Sequence, residues 1–174
     1  MTICVIHTGG TIGMAATPDG FAPKEGVVEA ELKRLHDSRE IQSDYIVVTA
    51  APLIDSANAT PADWNWIMRQ IAAHHEACDG FVVTHGTDTL AFTAAALAFG
   101  LKGVRKPVIV TGAMLPLTEP GSDGSGNLQD AFSAAERAEP GVWVQFAGKF
   151  LHGARVWKSH SVAFDAFNAS PTDK

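Results

Sequence analysis

Short, almost wholly apolar runs that end in threonine or glycine constrain this chain more than any other feature. Ile3-Cys4-Val5-Ile6 leads into His7-Thr8-Gly9-Gly10-Thr11-Ile12-Gly13, Gly80-Phe81-Val82-Val83 ends at Thr84, and Val108-Ile109-Val110 ends at Thr111. Runs this short, apolar at successive positions, are strands covered on both faces. Tyr45–Thr49, continuing to Pro52, and Val142–Phe146 read as further strands. Helical patterns lie between them. One fits Glu29–His36, and another begins at the capping sequence Thr60-Pro61-Ala62-Asp63 and runs to about Glu76 with Trp64, Ile67 and Ile71 at core spacing. Two more fit about Asp88 to Leu101 and about Leu128 to Arg137. The alternation predicts an α/β fold: a mostly parallel sheet with helices on both faces.

Elsewhere the pattern loosens. After the first strand, Pro18-Asp19-Gly20 and Pro23 predict a long mobile loop. The stretch to Leu101 is alanine-rich and apolar nearly all round, which predicts a deeply packed helix. Lys149–Trp157, with a turn near His152-Gly153, predicts a C-terminal β-hairpin, and Ser161–Lys174 has no clear periodicity. The end, Asp165–Lys174, reads as either a frayed stub or a packed terminus. Residues 1–174 are expected to form one domain with no second domain.

Composition narrows the function. With 46% apolar and 18% charged residues, the chain has the balance of a globular protein. A net charge of −6 and scattered basic residues argue against nucleic acid or an anionic membrane as partner. The first strand begins at Thr2, leaving no room for a signal peptide, and the longest apolar run is too short to cross a bilayer. The two cysteines, Cys4 and Cys78, read as buried free thiols in a reducing compartment, so the expected location is cytoplasmic. Seven histidines do not make a metal site: His74-His75 are adjacent rather than at i, i+4, and His36 lies near a helix end. No metal is expected.

Ligands of open parallel sheets bind beyond the carboxyl ends of the strands. Those ends carry Thr8-Gly9-Gly10-Thr11, Asp55-Ser56, His85-Gly86-Thr87-Asp88-Thr89 and Gly112-Ala113-Met114. Each has a plainer reading. Thr87 or Asp88 could cap the next helix, Asp55-Ser56 could be an ordinary turn, and Gly112-Ala113 could permit close packing. His7 and His85 could support a site or simply be packed. The first stretch is not G-x-G-x-x-G and leads into no helix, so phosphate binding is not expected. A threonine nucleophile needs a helper, for which Lys158 is a candidate, although spacing alone favours a surface lysine there.

At these residues the chain resembles the bacterial-type L-asparaginases. Thr8-Gly9-Gly10-Thr11-Ile12 and His85-Gly86-Thr87-Asp88-Thr89 carry the likeness. Thr111-Gly112-Ala113-Met114, Ser122-Asp123-Gly124 with Asn127-Leu128, Ala154–Lys158 and Asp165-Ala166-Phe167 support it. The resemblance implies hydrolysis of L-asparagine to L-aspartate and ammonia without a cofactor. It implies Thr11 as nucleophile, with Thr87, Asp88 and Lys158 as the activating hydroxyl–acid–base group. It further implies Asp55, Ser56, Gly86 and Ala113 around the substrate. Asp88 holds the α-amino group, Ser56 the α-carboxylate, the Thr87 amide the oxyanion, and the Ala113 carbonyl the leaving amide.

The likeness departs in two places. Where the family's flexible loop carries a tyrosine, this loop has Phe21, which has no proton to give. Family members also usually carry a second, smaller carboxy-terminal domain that helps pair subunits, and this sequence ends at Lys174. A homo-oligomer, dimer or tetramer, is still expected, pairing through Phe150-Leu151 and Val156-Trp157. Two alternatives stand beside hydrolysis of asparagine: a catalytically silent asparagine- or aspartate-binding module, and a related amidohydrolase acting on glutamine.

Overall fold

The computed structural model describes residues 1–171. In chain order it contains β1 (Thr2–Gly9), β2 (Met14–Thr17), β3 (Gly20–Pro23), α1 (Val27–Asp37), β4 (Asp44–Ile54) and α2 (Pro61–His74). It continues with β5 (Gly80–Thr84), α3 (Leu90–Gly100), β6 (Pro107–Thr111), α4 (Gly124–Arg137) and β7 (Gly141–Phe146). Three short strands close the described chain: β8 (Lys149–His152), β9 (Val156–Lys158) and β10 (Phe167–Ala169).

Six strands make the main sheet in the order β4-β1-β5-β6-β7-β8. Every pairing in it is parallel except β7 with β8. Alternate residues of the apolar strands serve opposite faces, as the period of two requires. Cys4, Ile6, Phe81, Val83, Val108 and Val110 pack with Ile67, Ile71 and Leu97 of α2 and α3. Ile3, Val5, Val82 and Ile109 pack with Leu32, Leu128 and Phe132 of α1 and α4. The expected mostly parallel sheet with helices on both faces is what forms. Its chain leaves β1 for β4 on one side and returns to β5 on the other, so the topological switch point lies between β1 and β5.

Several expectations need correction. The supposed mobile loop after β1 is an antiparallel hairpin, β2 with β3, whose turn is fastened by the Thr17 hydroxyl donating to the Gly20 carbonyl at 2.7 Å. Its alternation is hidden in sequence by small residues and by Pro18 and Pro23. The helix α3 is not packed all round: Leu90, Ala94 and Leu97 are buried, whereas Phe92 is 67% and Phe99 75% exposed. A helix lying on a sheet can offer it only one stripe, whatever the composition of the rest.

The C-terminal hairpin exists, with different partners. β8 folds back on β7 across Ala147-Gly148, both in the left-handed region, while β9 pairs with β10 rather than with β8. A turn does occur at His152-Gly153, but the strands it joins do not pair with each other. Phe150 and Trp157 are exposed, but Val156 is buried and Leu151 packs on the core, so these residues are not one apolar surface. Ala166 and Phe167 are buried, with the Phe167 and Phe146 ring centroids 4.8 Å apart, whereas Asp165, Ser170 and Pro171 are exposed, so the end is packed at Ala166-Phe167 and open to solvent on either side. Residues 172–174 of the expected frayed or packed stub lie outside the described residues.

Cys4 and Cys78 are free and buried, and burial pushes the Cys4 thiol up to about 12. Among the described residues no helix is long and apolar enough to cross a membrane.

Candidate active site

Hydroxyls and glycines at the strand ends divide into those that hold the edge together and those left facing it. Thr8 belongs to the first group, its hydroxyl donating to the Thr84 carbonyl at 2.8 Å. Thr84 in turn meets His7 Nδ1 at 2.7 Å, and Thr111 donates to the Gln145 carbonyl at 2.8 Å. These buried threonines stitch β1 to β5 and β6 to β7 where the strands end. The chain beyond each is thereby held in place.

Past Thr8 the backbone turns through Gly10 at φ 83°, a left-handed conformation that a side chain would strain. A Cβ on Gly10 would also overlap the backbone of Gly86. On the far side of Gly86, an added Cβ would strike the Ser56 side chain. Three loops, after β1, β4 and β5, therefore touch through positions with no room for a methyl group. Thr11 opens a short 3-10 turn, Thr11–Gly13, pinned by buried Ile12. Its hydroxyl makes no hydrogen bond to protein among the described residues.

Thr87 and Asp88 lie in the turn ahead of α3, which begins at Leu90, and neither caps it. Instead Lys158 Nζ donates to Thr87 Oγ1 at 3.0 Å and to Asp88 Oδ1 at 2.9 Å. The Lys158 side chain is 18% exposed and that of Asp88 66%. Strand pairing of Lys158 with Phe167 holds the lysine in this position. The plain surface-lysine reading is overturned: a contact spanning 70 residues joins it to the strand end.

Ser56 is buried, and the Thr89 hydroxyl donates to its carbonyl at 2.7 Å. The Asp55 carboxylate is engaged in the same turn, accepting from the Ala57 amide and from Asn58 at 3.2 Å each. Asp55 thus shapes the turn that presents Ser56. Ala113 is buried, and the Asp123 carboxylate accepts the amides of Met114 and Leu115 at 2.9 and 3.0 Å. Asn127 donates to the Gly112 carbonyl at 2.9 Å. Sequence reading misses Thr89 and Asp123 as anchors, although both stand inside the motifs that draw attention to this edge.

Two histidines lie beneath it. His7 is held below its ordinary value by burial, partly countered by the charge of Glu29, and burial lowers His85 as well. The unfolded chain therefore binds more protons than the folded one once the pH drops below about 6.5. Stability is expected to fall as the pH is lowered through that point and to level off only below the depressed folded values. Thermal melts stepped downward from neutral pH check this; a flat melting temperature across the step contradicts it.

No group of three or more His, Cys, Asp or Glu among the described residues could hold a metal. What the edge offers is an unengaged hydroxyl, a second hydroxyl bonded to an ammonium, a carboxylate with one oxygen taken, and a buried serine. That set suits attack on a carbonyl carbon beside a zwitterionic amino acid.

A family model described as Asparaginase, N-terminal matches residues 2–174. The chain is 43% identical over 172 residues to L-asparaginase 1 from Escherichia coli, covering 98% of this chain and 51% of that one. The solved structure of the thermostable L-asparaginase from Thermococcus kodakarensis superposes with a TM-score of 0.86 at 38% identity, over 97% of this chain and 51% of that one. L-asparaginase I from Vibrio cholerae gives 0.90 at 36% identity, over 99% and 52%. The chain spans about half the length of the relatives it matches.

Proposed function

The chain belongs to the asparaginase family, and from that premise we propose that it hydrolyses L-asparagine to L-aspartate and ammonia. The observation that carries the proposal is the contact of Lys158 with both Thr87 and Asp88 at the edge where the Thr11 turn meets Gly86. Thr11 Oγ1 attacks the side-chain amide carbon, and the amide nitrogen takes a proton and leaves as ammonia. Water then attacks the resulting ester, releases aspartate and restores the Thr11 hydroxyl.

The other residues take up the rest of the reaction. The contact of Lys158 with Thr87 Oγ1, with Asp88 beside the lysine, is the group that draws the proton from the attacking hydroxyl or water. With one oxygen on Lys158, the exposed Asp88 carboxylate keeps the other for the substrate's α-ammonium. Ser56 faces the α-carboxylate beside Gly86, in a turn that Asp55 holds. The Ala113 carbonyl accepts no protein hydrogen bond among the described residues, and we assign it to the leaving amide. No cofactor enters this scheme. We further propose a homo-oligomer in the cytoplasm, supported by exposed Phe92, Phe99 and Trp157 and by two buried free thiols.

The test is ammonia release from asparagine and, in parallel, from glutamine. Binding of aspartate without ammonia from either amide would leave a silent binding module. Phe21 adds a sharper check. It stands on β3, half exposed, with no proton to transfer. Phe21→Tyr is expected to raise kcat about tenfold, a modest share of the effect typical of a placed proton donor or acceptor. An unchanged kcat would mean that this ring does not reach Thr11.

A further inference from the structure

One buried network ends on the peptide that joins Gly86 to Thr87. The Trp64 indole N–H, on α2, donates to Thr93 Oγ1, on α3, at 2.9 Å. Thr93 Oγ1 meets His85 Nε2 at 3.0 Å, and His85 Nδ1 meets the Gly86 carbonyl at 2.8 Å. Thr93 is wholly buried and His85 nearly so. A carbonyl can only accept, so Nδ1 carries the proton. An indole can only donate, so the Thr93 oxygen accepts from Trp64 and its own proton is free for Nε2. Burial lowers the His85 pKa, which agrees with a neutral ring.

We propose that His85 is a positioning residue for the oxyanion site, holding the Gly86 carbonyl so that the Thr87 N–H of the same peptide is aimed at the reacting oxygen. The argument is geometric and rests on the asparagine reading above. In a trans peptide the C=O and N–H point in opposite directions, so a bond that fixes one fixes the other. A hydrogen bond accepted at the carbonyl also polarises the peptide and makes its N–H a stronger donor. The Thr87 N–H donates to nothing else among the described residues. A histidine that merely satisfied its own nitrogens could use any carbonyl; this one uses the carbonyl behind the unspent donor. Trp64, which the spacing assigns to the core with Ile67 and Ile71, is half-buried and supplies the far end of the chain.

Two variants separate positioning from packing. His85→Asn keeps a donor on the atom bonded to Cγ, whereas His85→Leu keeps bulk and loses the donor. His85→Leu is expected to lose about 30-fold in kcat with KM within about threefold, less than the ~10²–10³ for deleting an oxyanion donor outright. His85→Asn is expected to stay within about threefold of the parent in both constants. Should the leucine variant not fold, His85→Gln replaces it with the same expectation, because its amide lies one methylene further out. Equal kcat in the asparagine variant and the donor-less one, or a loss confined to KM, overturns the proposal.

If the parent chain releases no ammonia, the asparagine reading fails by itself and nitrogen NMR decides this one. The expected spectrum has His85 protonated at Nδ1 and bare at Nε2. The Thr87 amide nitrogen is expected to shift in the leucine variant and return in the asparagine variant. A proton on Nε2 with Nδ1 bare, or an unmoved Thr87 resonance, overturns it.

Discussion

Thr11→Ala is expected to lower kcat for asparagine by at least ~10³-fold while leaving the melting temperature within a degree or two of the parent, given that nucleophile deletions cost this much or more. The two halves of the expectation come from the same observation. Thr11 sits half-buried at the start of its turn, and among the described residues its hydroxyl bonds to nothing in the fold. The turn is fixed instead by buried Ile12 and by the Gly13 amide donating to the Gly10 carbonyl at 3.1 Å. Removing a side-chain group without protein partners is worth about ±0.5 kcal/mol in stability. Thr8→Ala is the contrast: its hydroxyl is buried and bonded to the Thr84 carbonyl, so its loss registers first in the melt. Ammonia release and thermal melts on the two variants check the pair. A Thr11→Ala protein with more than a tenth of the parent kcat would remove Thr11 from the nucleophile's role.

That contrast also shows what the sequence can and cannot reveal. The apolar runs Ile3–Ile6, Phe81–Val83 and Val108–Val110 disclose a sheet covered on both faces, because only such a sheet needs both alternating positions apolar. The threonines and glycines after them mark the carboxyl edge, and the strand-end rule then makes that edge the candidate site. Yet Thr8 and Thr11 look alike in sequence, and only the pairing of β1 with β5 makes one a stitch and the other a free hydroxyl.

Short elements are less legible. The β7–β8 turn uses Ala147-Gly148 in place of the Asn-Gly or Asp-Gly that signals a two-residue hairpin, so the return of β8 goes unannounced. The β9–β10 ladder is too short for periodicity to register. Lys158 illustrates the limit most clearly. Nothing local distinguishes it from a surface lysine, because what places it at Thr87 and Asp88 is a contact made across the chain.

That contact carries the other large effect. Lys158→Met is expected to reduce kcat about 10³-fold, with KM changed less, because it removes the donor that organises Thr87 Oγ1 and the counter-charge beside Asp88. Stability is expected to change little. Asp88 is mostly in water and re-solvates when its partner goes, while a methionine fills the space of the lysine stem without a charge to desolvate. The opposite deletion, Asp88→Ala, leaves an ammonium on a largely buried side chain with one fewer partner and is the more damaging of the two to the fold.

Lys158→Arg separates charge from geometry. The guanidinium keeps the positive charge but presents a planar fork in place of a compact donor that reaches a hydroxyl and a carboxylate oxygen together. It is therefore expected to retain the melting temperature while recovering no more than about a tenth of the parent kcat. Steady-state kinetics with asparagine and thermal melts on the three variants measure both quantities. Full activity in Lys158→Met would sink the role given to the lysine. Full activity in Lys158→Arg alone would reduce that role to its charge, since the arginine cannot reproduce the two short contacts that the ammonium makes.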